Sequence, residues 1–190
     1  MDDETGGDTV ENAREAATKG DIERLRTYTG PMDASLCAAA AEAGQLPALQ
    51  FLREAGCEWD EDTCSLAADG GHLAVLQWAH AQGAPWHEST CAAAAEGGHL
   101  ELLQWAHLNG CPWDESTCSS AAEGGHLAVS FRSADHVLTR ISDTRPSNPA
   151  QVLQWARAQG CPWDMGTCAA AAEGGHAGVL EWVLAQDEQE

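Results

Sequence analysis

Cysteine and histidine recur along the chain on a grid that could ligate a metal or carry thiol chemistry. It comprises Cys57, Cys64 and His72; Cys111, Cys118 and His126; and Cys161, Cys168 and His176. Structural zinc sites chelate cooperatively through close C-x2-C pairs, whereas the spacing here is C-x6-C-x7-H. Another copy has Ala84 in place of the first cysteine, while Cys91 and His99 remain. A packing position tolerates that exchange; a three-ligand site does not. The cysteines therefore read as small core residues. The histidines His72, His99, His126 and His176 read as hydrogen-bonding groups at a turn, because Gln45 takes the same place in one copy. No metal or cofactor is expected, and a metal- or redox-responsive thiol protein built on the grid is the alternative.

Catalytic chemistry finds no foothold. The sequence has no Gly-rich phosphate loop, no G-x-S-x-G, no H-E-x-x-H, and Lys19 is its only lysine. Its carboxylates recur at capping and surface positions rather than as a converging acid–base pair. Two tryptophan columns stand out instead: Trp78, Trp105, Trp155 and Trp182 with Phe51 as counterpart, and Trp59, Trp86, Trp113 and Trp163. They could stack bases or clamp a peptide, but packing between repeats is the reading adopted. A third column, Arg53, His80, His107 and Arg157, varies between copies. Variation of that kind marks either a solvated face or a partner-binding surface, and these four are the candidates for partner contact.

These residues must be positioned by a repeat. Gly44, Gly71, Gly98 and Gly125 are evenly spaced and open "GQLPALQFL", "GHLAVLQWA", "GHLELLQWA" and "GHLAV". The next copy opens late, at Gly175, and a degenerate first copy opens at Gly20. Regular repetition at such an interval signals a solenoid. Each copy holds two helical segments. In "DESTCSSAAEGG", Cys118, Ala121 and Ala122 share one helical face, Asp114 suits the N-cap, and Gly124 or Gly125 suits a left-handed stop. In "GHLELLQWAHLNG", the periodicity predicts a face of Leu100, Leu103 and Ala106 extended by Trp105, closed by Asn109 and Gly110. Pro47 falls in a first turn, where its missing N–H does no harm.

Read from Ser116, "STCSSAAEGGHLAV" resembles the ankyrin repeat pattern T-P-L-H-x-A-A-x-x-G-H-x-x-V, with Ala121, Ala122, Gly125 and His126 on the pattern. "GCPWD" at 110–114 and 160–164 stands where ankyrin repeats carry G-A-D-V-N, so Cys111 and Cys161 replace a small buried alanine. The copies are shorter than the ankyrin unit, and the missing part falls where ankyrins project β-hairpin fingers. The resemblance implies an all-α solenoid of stacked helix-turn-helix repeats with little or no β-structure. It spans about 11–190, after an acidic disordered N-terminus at 1–10.

The span from Val129 to Gln151 interrupts this pattern. Removing it restores "GHLA" plus "VLQWARAQG" in register. The segment has no Cys, Trp or Gly, yet it holds Arg132, Arg140 and Arg145. Val129-Ser130 can be encoded GTGAGT, a splice donor, and Gln151 CAG, a splice acceptor. A retained intron is the hypothesis, and cDNA sequencing that finds the segment in every transcript defeats it. In the chain as it stands, an amphipathic helix over 126–141 is expected, with Asn148 and Pro149 restarting the interrupted one. Beyond it too few repeats remain for independent stability, so 151–190 should be less protected than 44–124 in hydrogen exchange.

Composition bounds the rest. Thirty Asp plus Glu against nine Lys plus Arg give a net charge of −21, and no Lys or Arg occurs between Glu54 and Phe131. Acidity of this degree keeps an Ala- and Trp-rich surface soluble and favours basic partners. The expected protein is a monomeric interaction scaffold with a basic protein as partner and neither nucleic acid nor membrane. A structural spacer is the further alternative. "MDDETGGDTV" has neither the basic start nor the apolar core of a signal peptide, so a cytoplasmic or nuclear location and reduced thiols are expected.

Overall fold

The computed structural model describes residues 9–125, 152–162 and 164–187. Twelve helices are found among them and no strand: α1 (Val10–Lys19), α2 (Ile22–Thr27), α3 (Ala34–Glu42), α4 (Leu46–Glu54), α5 (Glu61–Asp69), α6 (Leu73–Ala81), α7 (Glu88–Glu96), α8 (Leu100–Leu108), α9 (Glu115–Glu123), α10 (Val152–Ala158), α11 (Met165–Glu173) and α12 (Ala177–Asp187). They form six helix-turn-helix pairs, as the periodicity predicts. The segment 129–151, the 126–141 helix and Trp163 lie outside the described residues. Thr9 caps the first helix through the Asn12 N–H.

Most first helices start on a side-chain cap. Asp33, Asp114 and Asp164 accept from the backbone N–H groups of Ser35, Ser116 and Gly166 at 3.1, 2.9 and 2.7 Å. His87 substitutes for the aspartate, its Nδ1 accepting from the Ser89 N–H at 3.2 Å. Such a cap is worth about 1 kcal/mol. The turn to the second helix passes through a left-handed glycine, Gly98 at φ 72° for example. In the α9 copy the left-handed residue is Gly125, since Gly124 stays right-handed at φ −69°.

Small side chains set the stacking. Cys64, Ala67 and Ala68 on α5, Cys91, Ala94 and Ala95 on α7, and Cys118, Ala121 and Ala122 on α9 are all fully buried. The first helices pack in one unbroken row, α1 to α3, α5, α7, α9 and α11. The second helices carry bulkier residues and touch one another much less. The row of first helices is therefore the tight side of the stack and the row of second helices its open, outer side.

The buried stripe of a second helix differs from the predicted one. Leu102, Leu103 and Ala106 are buried on α8, while Leu100 is only half-buried. Leu100 is the first residue of the helix, directly after the turn at His99.

The register survives the interruption. The Cys57 thiol donates to the Asp33 carbonyl at 2.9 Å and the Cys111 thiol to the His87 carbonyl at 3.4 Å, each 24 residues back. The Cys161 thiol makes the same bond to the Asp114 carbonyl at 3.3 Å, 47 residues back, so the stacking register of the repeats is kept from α9 to α11. At the last pair the covering ends: Ala172 is exposed and Cys168 half-buried, where their counterparts Ala122 and Cys118 are buried.

Candidate interaction ridge

The column Arg53, His80, His107 and Arg157 lies one residue before the end of each of α4, α6, α8 and α10, and all four residues are half-buried. They are less open than a freely varying surface column would be, because three of them lie on tryptophan rings. His80 stacks on Trp86 with ring centroids 3.9 Å apart and planes 20° apart, and its edge meets Trp105 at 5.8 Å. His107 repeats this on Trp113 at 3.9 Å and Trp155 at 5.8 Å. The Arg53 guanidinium sits 4.0 Å over the Trp59 ring and hydrogen-bonds the Cys57 carbonyl.

The two tryptophan columns meet across three successive repeat junctions. Trp59 packs edge-on to Trp78, Trp86 to Trp105 and Trp113 to Trp155, at 5.7–5.8 Å. One loop tryptophan, one helix tryptophan and one cationic or imidazole side chain thus tie α4 to α6, α6 to α8 and α8 to α10. An aromatic pair of this kind adds about 0.5–1.5 kcal/mol beyond its buried area. Sequence reasoning missed Arg26, whose guanidinium lies 5.8 Å over Phe51 in the short first pair. Its one signal is a cation near the end of a second helix, one copy before Arg53.

Between α4 and α6 the outer row opens into a pocket of about 490 Å³ lined by Gln50, Arg53, Glu54, Trp78 and Gln82. By repeat position the same wall recurs as Gln77, His80, Trp105 and Asn109, then as Gln104, His107, Trp155 and Gln159. The residue at Glu54 changes from copy to copy, to Ala81, Leu108 and Ala158.

The turn histidines perform the hydrogen bonding expected of them, and they do it between repeats. His72 Nε2 meets the Glu42 carbonyl at 2.9 Å and His99 Nε2 the Asp69 carbonyl at 2.8 Å. A carbonyl only accepts, so Nε2 carries the proton in both. Gly70 and Gly97 make room: a Cβ on Gly97 would lie 2.6 Å from the His99 ring and 2.8 Å from the Asp69 carbonyl oxygen. Gly71 is left-handed at φ 70°, and a Cβ there would lie 2.6 Å from the His99 ring.

The thiols form pairs rather than a grid with histidine. The bond to Cys57, followed by burial, pushes the Cys37 thiol well above the ordinary range; the partners of Cys111 and Cys118 are Cys91 and Cys161, with the same result. Where Ala84 replaces the partner, burial alone pushes Cys64 up to about 11. Among the described residues no three His, Cys, Asp or Glu side chains converge as a metal site. Since the thiolate is the nucleophile, a thiol reagent at pH 8 on the folded chain should label half-buried Cys168 first and leave the buried, raised thiols of Cys37, Cys64, Cys111 and Cys118 unmodified until unfolding. A folded-state pKa above the unfolded value near 9 contributes stability below that value, and the contribution is lost above it. The melting temperature should therefore fall between pH 9 and 11.

No known family profile matches the sequence, and no curated protein matches it. Solved structures do, among them a pentatricopeptide repeat protein, PPR10, in complex with an 18-nt psaJ RNA element, and a triple cysteine-to-serine form of that protein with the same RNA. Each is 15% identical with a TM-score of 0.44, covering 91% of this chain and 28% of the other. The chain thus spans about a quarter of the length of these repeat proteins. Their RNA corrects one sequence-based expectation, the exclusion of nucleic acid as a partner. Net charge is a whole-molecule quantity, whereas helical repeats can read a strand with two or three side chains each, so acidity does not by itself remove that class. Among the described residues no helix is long and apolar enough to cross a membrane. The chain is a helical-repeat protein, a stack of short helix pairs with a pocket between the second helices α4 and α6.

Proposed function

We propose that the chain is a binding scaffold of short ankyrin-like repeats that holds an extended basic segment of another protein along its second-helix row. The observation that carries this reading is the pocket between α4 and α6, whose amide, cation and tryptophan wall recurs at successive repeats. Its amides can bond a peptide backbone, and the half-buried tryptophans offer flat apolar faces. Arg53, His80 and His107 hold those rings in place, and Arg157 continues the column as a further candidate for partner contact. The remaining named positions, Gly71, His72, Trp78, Cys91, Gly98, His99, Trp105, Cys111, Trp113, Cys118, Trp155, Cys161, Trp163 and Cys168, serve the stack itself. Exposed carboxylates at the ends of the first helices, among them Glu42, Asp69, Glu96 and Glu123, would speed the approach of a basic chain. The role is binding rather than catalysis, in the cytoplasm or nucleus, where thiols stay reduced. Residues 129–151 are taken as an interruption of the copy that opens at Gly125, a reading supported by the matching Cys161 and Cys57 bonds.

Fluorescence anisotropy with three labelled probes tests this: an Arg/Lys-rich peptide, its Asp/Glu counterpart and an 18-nt single-stranded RNA. The basic peptide should bind with a shift in tryptophan emission and weaken about tenfold or more between 50 and 500 mM salt. Tighter binding of the RNA, or binding of neither the basic peptide nor the RNA, overturns the reading.

A further inference from the structure

Resting on that reading, we infer that the grooves impose an order on the bound segment: one Lys or Arg side chain at the α4–α6 groove, followed by apolar side chains at the next two grooves. The last residue of each second helix faces solvent at these grooves: Glu54, Ala81 and Leu108, in order along the stack. Arg53, the cation beside Glu54, is occupied by the Trp59 ring and the Cys57 carbonyl. The groove thus offers one outward carboxylate, Glu54, beside the half-buried Trp78 ring and the amides of Gln50 and Gln82. A Lys or Arg fits that set, its aliphatic stem on the ring and its cation on the carboxylate.

The next two grooves have no carboxylate at that position. Ala81 is small and exposed at the second, and Leu108, 82% exposed, gives the third a large apolar side chain uncovered by the described residues. The packed first helices set a repeat interval of about 10 Å, the looser second helices follow it one per repeat, and three residues of extended chain span roughly that interval. The recognised pattern is therefore a basic residue and two apolar residues at three-residue intervals, Lys-x-x-Leu-x-x-Leu, carried on a segment of another protein.

Labelled peptides carrying this core in Gly/Ser spacers, and peptides of identical composition with Lys-Leu-Leu contiguous, are titrated into the full chain. The spaced peptide should bind about tenfold tighter. Glu54→Lys should lose about tenfold for it and gain for Glu-x-x-Leu-x-x-Leu, and Leu108→Ser should lose about fivefold. Both substitutions are at exposed positions, so unchanged thermal melts should accompany them. Equal affinity for spaced and contiguous peptides, or indifference to both substitutions, overturns the inference while the basic-segment reading stands. Failure of both peptides, alongside failure of the Arg/Lys-rich probe, overturns both.

Discussion

Gly97→Ala is expected to lower the unfolding free energy by about 3 kcal/mol, against the usual sign of such a change. Gly97 has ordinary right-handed dihedrals, φ −73°, and at such a site alanine normally stabilises by about 0.4–1 kcal/mol through the unfolded chain. Here the added carbon would sit 2.6 Å from the His99 ring and 2.8 Å from the Asp69 carbonyl oxygen. The carbonyl is backbone and cannot swing away, so either α5 and α7 separate or His99 leaves its hydrogen bond. Overpacking costs about 1–3 kcal/mol and a lost hydrogen bond about 1 more. Gly178 on α12 is the control, since a carbon there meets nothing within 4 Å; Gly178→Ala should stabilise by up to about 1 kcal/mol. Urea unfolding followed by circular dichroism reads both, and stabilisation by both would show that the histidine turn does not join the repeats.

Leu103→Ala should cost about 3 kcal/mol or more. Leu103 is fully buried in the middle of the stack, and emptying such a site removes transfer energy and leaves a cavity, for about 2–5 kcal/mol in all. In a repeat stack each unit is held only by its neighbours, so a weak central pair exposes those on both sides. The loss should broaden the urea transition as well as shift it. Leu108, on the same helix but 82% exposed, should tolerate alanine within about 0.5 kcal/mol. Equal losses at the two positions would contradict the assigned faces.

What the sequence made legible is what repeats locally. The spacing of Gly44, Gly71 and Gly98 placed the turns, Asp114 the cap, and Cys118, Ala121 and Ala122 the packed face, because a cap, a left-handed glycine and a small-residue face each need only neighbours along one helix. The stripe on α8 came out differently, with Leu100 half-buried and Leu102 buried. Its position depends on where the next helix lies, which no local pattern specifies. The stacking of His80 on Trp86 and of Arg53 on Trp59 was equally hidden. Those contacts turn a column that varies like a free surface into part of the joint between repeats, while the variation of Glu54, Ala81 and Leu108 has no such packing role. Cys91 pairing with Cys111, and His99 reaching the Asp69 carbonyl, likewise required the turns to be folded first.

Photo-crosslinking puts the central claim, a protein-binding ridge on the second helices, to its most direct test. An Arg/Lys-rich peptide carrying a benzophenone is irradiated on the full chain and the crosslinked sites are read by mass spectrometry. The account predicts crosslinks within 46–54, 73–82 and 100–109, the walls of successive grooves. Crosslinks confined to the carboxylate ends of the first helices, around Glu42, Asp69 and Glu96, would contradict it.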